Sequence, residues 1–152
     1  MCDMKRVMAV ASGGGHWVQL MRLRSVLARH DTCWVTVQPA YREQVPQGQR
    51  FYVVTDATRW SRWELVKMVA QVWWLVLRDR PEVLVTTGAA PGLAAMQAAK
   101  LLGARTVWID SVANVEHLSM SGRKARRWAD LWLTQWPHLA KPGGPRYLGA
   151  VL

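Results

Sequence analysis

Apolar, strand-like runs alternate with helical stretches along this chain, and that alternation restricts its fold more than any other feature of the sequence. Residues 5–11 form an apolar run suited to a buried strand. Residues 17–29 carry helical spacing, with Leu20, Leu23 and Leu27 on one face. Strands are expected at 32–38 and 51–55, and a long helix at 61–80, stopped by Pro81. A strand at 83–87, a helix at 92–102 closed by Gly103, and a strand at 105–109 follow. A short basic helix and a further strand near 131–135 complete the pattern. Strands joined through helices return parallel to one another. The expected fold is therefore α/β: a Rossmann-like, doubly wound parallel sheet with helices on both faces. No repeat or low-complexity linker interrupts it, so residues 1–152 are expected to form a single domain.

At 51% hydrophobic, the chain is too apolar for disorder. No run of 18 apolar residues occurs, so no transmembrane helix is expected. The first strand begins by Lys5, which leaves no room for a signal peptide. Cys2 and Cys33 make neither a disulfide framework nor a metal pattern. Neither a cofactor nor a metal is expected, and the default compartment is the cytoplasm.

The net charge of +10 calls for an anionic partner: nucleic acid, an acidic membrane surface or a phosphorylated substrate. Ten tryptophans tilt that choice towards a membrane surface and away from nucleic acid. The helix at 61–80 adds to this. Glu64, Lys67, Gln71 and Arg78 make one narrow polar stripe, and the rest of its circumference is apolar. A helix covering a sheet needs an apolar stripe of only about 100°. Trp60, Trp63, Trp73 and Trp74 are therefore expected on a face dipped into the membrane interface or covered by a partner, the bland alternative being a helix sandwiched in the core.

Three loops are candidates for chemistry. Gly13, Gly14 and Gly15 precede His16 at a strand-to-helix junction, where glycines allow close backbone approach and a helix start offers free N–H groups. Val18 stands where a dinucleotide fingerprint has its third glycine, and no Gly-Lys-Ser/Thr follows, so neither that fingerprint nor a P-loop fits. Gly88, Ala89 and Pro91 form a second junction of small residues. The third loop begins with Asp110, a carboxylate at the end of a strand, and carries Ser111, Asn114, Ser119 and Ser121. In a parallel sheet all three leave the same edge and line one cleft. Arg123, Lys124, Arg126 and Arg127 place four positive charges beside it, for a pyrophosphate or an acidic lipid headgroup. For each loop a purely structural role, as a cap or tight turn, stands as the alternative.

The same segments carry a resemblance. Ser12–His16, Thr87–Gly92, Asp110-Ser111, Leu118–Arg123, Ala129-Asp130, Gln135-Trp136 and Tyr147–Gly149 resemble the asparagine-linked glycosylation protein fourteen family, the membrane-associated subunit of a two-part UDP-N-acetylglucosamine transferase. Bacterial relatives of that family serve capsule and exopolysaccharide synthesis. The resemblance implies the N-terminal, acceptor-binding half of a GT-B glycosyltransferase, with the UDP-sugar-binding half on a separate subunit. It implies a polyprenyl-pyrophosphate-linked glycan acceptor, a peripheral position on the cytoplasmic face of the membrane, and an inverting transfer with Asp110 or His16 as the base. Two positions depart from the family: it commonly has glutamate at Asp110 and arginine at Asn114. Eukaryotic members carry an N-terminal anchor, and its lack here favours a bacterial-type member. The competing expectations are a non-catalytic scaffold that recruits the donor-binding subunit, a free-standing nucleotide-binding module, and a nucleic-acid binder suggested by charge alone.

Overall fold

Seven parallel strands make up one sheet in the order β3-β2-β1-β4-β5-β6-β7. This is a computed structural model, and it describes residues 3–57 and 61–151. The strands are β1 (Arg6–Val10), β2 (Asp31–Thr36), β3 (Arg50–Val53), β4 (Val83–Thr86), β5 (Arg105–Ile109), β6 (Leu131–Thr134) and β7 (Arg146–Tyr147). The helices are α1 (Gly15–Arg22), α2 (Arg24–Leu27), α3 (Arg62–Asp79), α4 (Ala89–Leu101) and α5 (Met120–Ala125). The chain moves outward from β1 to β3, then crosses back and proceeds from β4 to β7. The order thus reverses between β1 and β4, the switch point where open α/β sheets leave a crevice.

Strand residues alternate between two buried clusters, as the pleat demands. Met8, Val10, Cys33, Val35, Leu84 and Trp108 face α3, α4 and α5. Val7, Ala9, Trp34, Val85 and Ile109 face α1 and α2, where Trp17, Leu20 and Leu27 pack. Helices cover both faces. Helix α4 presents Ala94, Ala95, Ala98 and Ala99 to the interior, and its Gly92 sits where a Cβ would come within 2.0 Å of Thr86 Oγ1. Small residues thus let this helix approach the sheet closely.

Several boundaries differ from expectation. The helix expected over 17–29 divides at Leu23, whose φ of −89° and ψ of 0° unwind one residue between α1 and α2. Helix α4 begins at Ala89, three residues earlier than expected, because Pro91 fits a first turn without needing its missing N–H. Residues Pro39–Gln44 form a 3₁₀ segment in place of plain loop, and β7 was not anticipated.

Helix α3 is capped by Ser61, whose hydroxyl accepts from Glu64 N at 3.3 Å. It ends at Arg80 in the left-handed region, φ 44°, directly before Pro81. Met68, Val72, Leu75 and Val76 are its buried stripe. Trp63 (85% exposed), Val66 (60%) and Trp74 (58%) face outward, with Leu65 and Leu77 also exposed. Arg78 lies over the rings of both Tyr52, at 4.5 Å, and Trp74, at 4.7 Å. Trp73 corrects the expectation that four tryptophans share this outer face: it is half-buried and packs against the core. Trp60 lies outside the described residues. Among the described residues no helix is long and apolar enough to cross a membrane.

Candidate functional site

Strands β1, β4 and β5 are neighbours, so the loops leaving their C-terminal ends are adjacent. The first two are tied to each other. His16 Nδ1 lies 3.0 Å from Thr87 O, and Thr87 Oγ1 donates to His16 O at 2.6 Å. A carbonyl can only accept, so Nδ1 is the donor, and in the neutral ring Nε2 is then the acceptor atom. No described residue bonds Nε2. His16 is half-buried beside Gly88, where a Cβ would come 3.0 Å from the ring. Gly88 at φ 124° therefore serves both the turn and the imidazole.

The two helices that start here have no side-chain cap. Gly14 (φ 66°) precedes α1, and Gly88 precedes α4, whereas Ser61 and Ser119 cap α3 and α5. The first-turn N–H groups of α1 and α4 thus face the crevice without a side-chain acceptor. The glycine loop itself is braced from behind: Gly14 N donates to Tyr41 Oη at 3.0 Å, and Tyr41 stacks on Trp17 with centroids 4.9 Å apart. Ala89 follows Gly88 with φ 68°, a left-handed conformation that costs a residue with a Cβ about 1–2 kcal/mol.

Asp110 sits differently from the expected base. It is 2% exposed. Its Oδ1 accepts from Ser119 Oγ at 2.6 Å and from Trp108 Nε1 at 3.1 Å. Its Oδ2 accepts from Ser119 N at 2.9 Å and from Asn114 Nδ2 at 3.2 Å. Gly122 lies so close that a Cβ there would be 2.3 Å from Oδ1. The carboxylate is thus enclosed by the loop it organises. Ser119 and Asn114, expected to face an acceptor, spend polar atoms on Asp110, and the Ser119 hydroxyl also caps α5 by accepting from Gly122 N at 2.8 Å. Ser111 is buried and accepts from Gln19 Nε2 at 3.1 Å. Pro91 is buried within α4, and Ser121 is half-buried in α5.

Two residues connect these loops: Gln19, which the sequence did not single out, and Gln135, which entered only through the family resemblance. Gln19 Nε2 donates to Gly15 O and Ser111 Oγ, and Gln19 Oε1 accepts from Val112 N and from Gln135 Nε2. Gln135 Nε2 also donates to Asp110 O at 2.9 Å, and Gln135 Oε1 accepts from Val151 N at 2.7 Å. Both glutamines are buried. The available signal was a polar residue at an inward helical position, Gln19, between Trp17 and Leu20.

The four basic residues of α5 and the turn that follows it border two hollows. Arg123 and Arg126, three apart and so on one helical face, line a cavity of about 700 Å³ together with Lys141, His117 and His138. Lys124 and Arg127 do not line it; they border a second recess against Gln97 and Trp128, which Arg123 and Arg126 share.

Comparison with known proteins gives the following. Residues 38–151 match the family model described as oligosaccharide biosynthesis protein Alg14 like. The chain is 27% identical over 182 residues to the UDP-N-acetylglucosamine transferase subunit ALG14 of Eremothecium gossypii, across 97% of this chain and 80% of that protein. To the subunit of the same name from Mus musculus it is 26% identical over 185 residues, across 97% and 83%. Among solved structures, MurG of Acinetobacter baumannii aligns with a TM-score of 0.73 at 15% identity, over 93% of this chain and 44% of that one. A UDP-N-acetylglucosamine 2-epimerase from Rickettsia bellii aligns with a TM-score of 0.66 at 15% identity, over 90% and 40%. The chain spans less than half the length of these two structures, and it has the fold of the N-terminal Rossmann-like half of a GT-B protein.

Proposed function

The chain belongs to the Alg14 family of oligosaccharide biosynthesis proteins, and from that premise we propose that it is the acceptor-binding, membrane-associating subunit of a two-part inverting glycosyltransferase. In this reading a separate subunit binds the UDP-sugar. The acceptor is a saccharide on polyprenyl pyrophosphate, the product serves exopolysaccharide or capsule synthesis, and the protein lies on the cytoplasmic face of the membrane. The exposed apolar face of α3 supports membrane association. Two relatives that match along most of their length are named transferase subunits, which supports a heteromeric enzyme.

The observation that carries the reading is His16, poised at the switch point between two uncapped helix starts. Thr87 O fixes the tautomer, so Nε2 is the atom able to take a proton. An acceptor hydroxyl placed against Nε2 loses its proton there as its oxygen attacks the anomeric carbon of the donor. The UDP leaves from the opposite face with the bonding electrons, and the configuration inverts. The free N–H groups of α1 and α4 orient acceptor oxygens. Asp110 acts through the loop, holding Asn114 and Ser119 in place, and is a positioning residue in this arrangement.

Reconstitution tests this. The purified chain should transfer no sugar alone. With the donor-binding subunit and lipid-linked acceptor it should turn over, and His16→Gln should lower kcat by about 10²- to 10⁴-fold. Robust transfer by the lone chain, or an unchanged kcat in the variant, would sink the assignment.

A further inference from the structure

The cavity of about 700 Å³ lies beside β6, between α5, the loop at 116–118 and the segment at 138–145. Its charges come from two stretches of chain: His117, Arg123 and Arg126 from the loop before α5, α5 itself and the residue after it, and His138 and Lys141 from the C-terminal segment. Glu116 is the single acidic residue among its lining residues. Among the described residues, none of Arg123, Arg126 and Lys141 has a carboxylate partner, although six ion pairs form elsewhere. His138 is held in place by its Nε2, bonded to Val115 O, which leaves Nδ1 free.

The apolar part of the wall supplies a second observation. Trp132 lines the cavity and packs against the core behind it. Three unpaired cations around one hollow call for a complement of oxygen atoms with negative charge. Guanidinium groups suit phosphate oxygens in particular, because their forked donors match its geometry. Leu118 and Leu139 also line the hollow, which leaves apolar surface for the body that bears the phosphate.

We propose that this cavity binds a phosphate-bearing anion, a pyrophosphate or a phospholipid headgroup, gripped by Arg123, Arg126 and Lys141. This rests on the reading above only in taking the ligand to be a lipid-linked phosphate. Position assigns the anion a task. The cavity adjoins β6, three strand spacings from the β1 end that carries His16, on the order of 14 Å away. An anion so placed is not the reacting group. It is a handle by which the anchored end of a ligand is held while another part reaches the crevice.

The test compares two double variants of the full chain that remove the same charge. Arg123→Ala with Lys141→Ala empties the cavity of two cations, and Lys124→Ala with Arg127→Ala removes two that do not line it. Isothermal titration with inorganic pyrophosphate at low salt forms one arm. Co-sedimentation with phosphatidylglycerol vesicles, against phosphatidylcholine vesicles, forms the other. The cavity variant should bind about 10- to 100-fold more weakly in at least one arm, and the control within about 2-fold of the parent. A cavity-specific loss with pyrophosphate identifies a soluble or substrate phosphate, and one confined to vesicles identifies a lipid headgroup. Equal losses in both double variants, or none in either arm, would overturn the site. Thermal melts confirm that each variant folds. The assay needs neither partner nor sugar, so its failure is separable from failure of the transfer reading.

Discussion

Replacing Asp110 by Asn separates a carboxylate that holds the loop from one that performs chemistry. Four donors converge on it, two at each oxygen. An amide keeps one oxygen and puts an NH₂ in place of the other. If the NH₂ takes the Oδ2 position, it meets the N–H groups of Ser119 and Asn114. If it takes the Oδ1 position, it meets the Trp108 N–H and the Ser119 hydroxyl. Either way one bond to a charged acceptor is lost outright, because the Ser119 hydroxyl can turn to accept and the Asn114 amide can flip, and the remaining bonds lose their charge assistance, together about 3–5 kcal/mol. Relief of the buried charge offsets part of this, leaving a loss of about 2–4 kcal/mol. For a domain of this size that corresponds to a Tm lower by about 5–15 °C. Urea unfolding and scanning calorimetry of the isolated chain measure it directly. The reasoning is wrong if the variant melts with the parent while transfer by the assembled complex falls by about 10²-fold or more. That pattern would make Asp110 the base, as its place at the end of a strand first suggested.

Three further outcomes are expected. Trp63→Ser with Trp74→Ser should weaken sedimentation with anionic vesicles at unchanged Tm, while Trp73→Ser, which opens the core, should cost about 2 kcal/mol or more in urea unfolding. Ala89→Gly should raise stability by about 0.5–1 kcal/mol, because it relieves a left-handed residue at the start of α4, and an unchanged urea midpoint would refute that strain. Asp130 is held below its usual pKa by its hydrogen bond to Lys100 and by that from Thr106 N. A depressed folded value stabilises above the unfolded pKa and fades as pH falls through the folded one. The stability gap between parent and Asp130→Asn should therefore be full at neutral pH and close as pH drops below about 3.8; a gap constant from pH 7 to 3 would remove the pair from consideration.

The sheet was legible in the sequence because strand and helix periods alternate without interruption, and because the loop glycines fall at the junctions. The break at Leu23 was not, since the apolar face of 17–29 continues through it and a single residue's dihedrals leave no trace in composition. The two-residue strand β7 is too short for any period to register. At the site, the sequence marked His16, Gly88 and Asp110 as neighbours, which follows from parallel topology. It did not mark whether the Asp110 side chain points into the crevice or back into its loop, because that is decided by Ser119, Asn114 and Trp108 closing around it. Lys141 and His138 lay in a stretch without period or motif, and only the folded chain brings them to Arg123.

The buried amides of Gln19 and Gln135 bear on how this sequence can drift. Each amide has a direction, donating from one end and accepting at the other, and the orientation of one dictates that of the next. A carboxylate at Gln19 would lose both donors at once, and a hydrocarbon there would strand Ser111, Val112 and Gln135 together. Neither position therefore has a tolerable single-step neighbour. Lineages should keep the pair unchanged or replace both in close succession, so related sequences should show the two residues, 116 positions apart, substituted as one character.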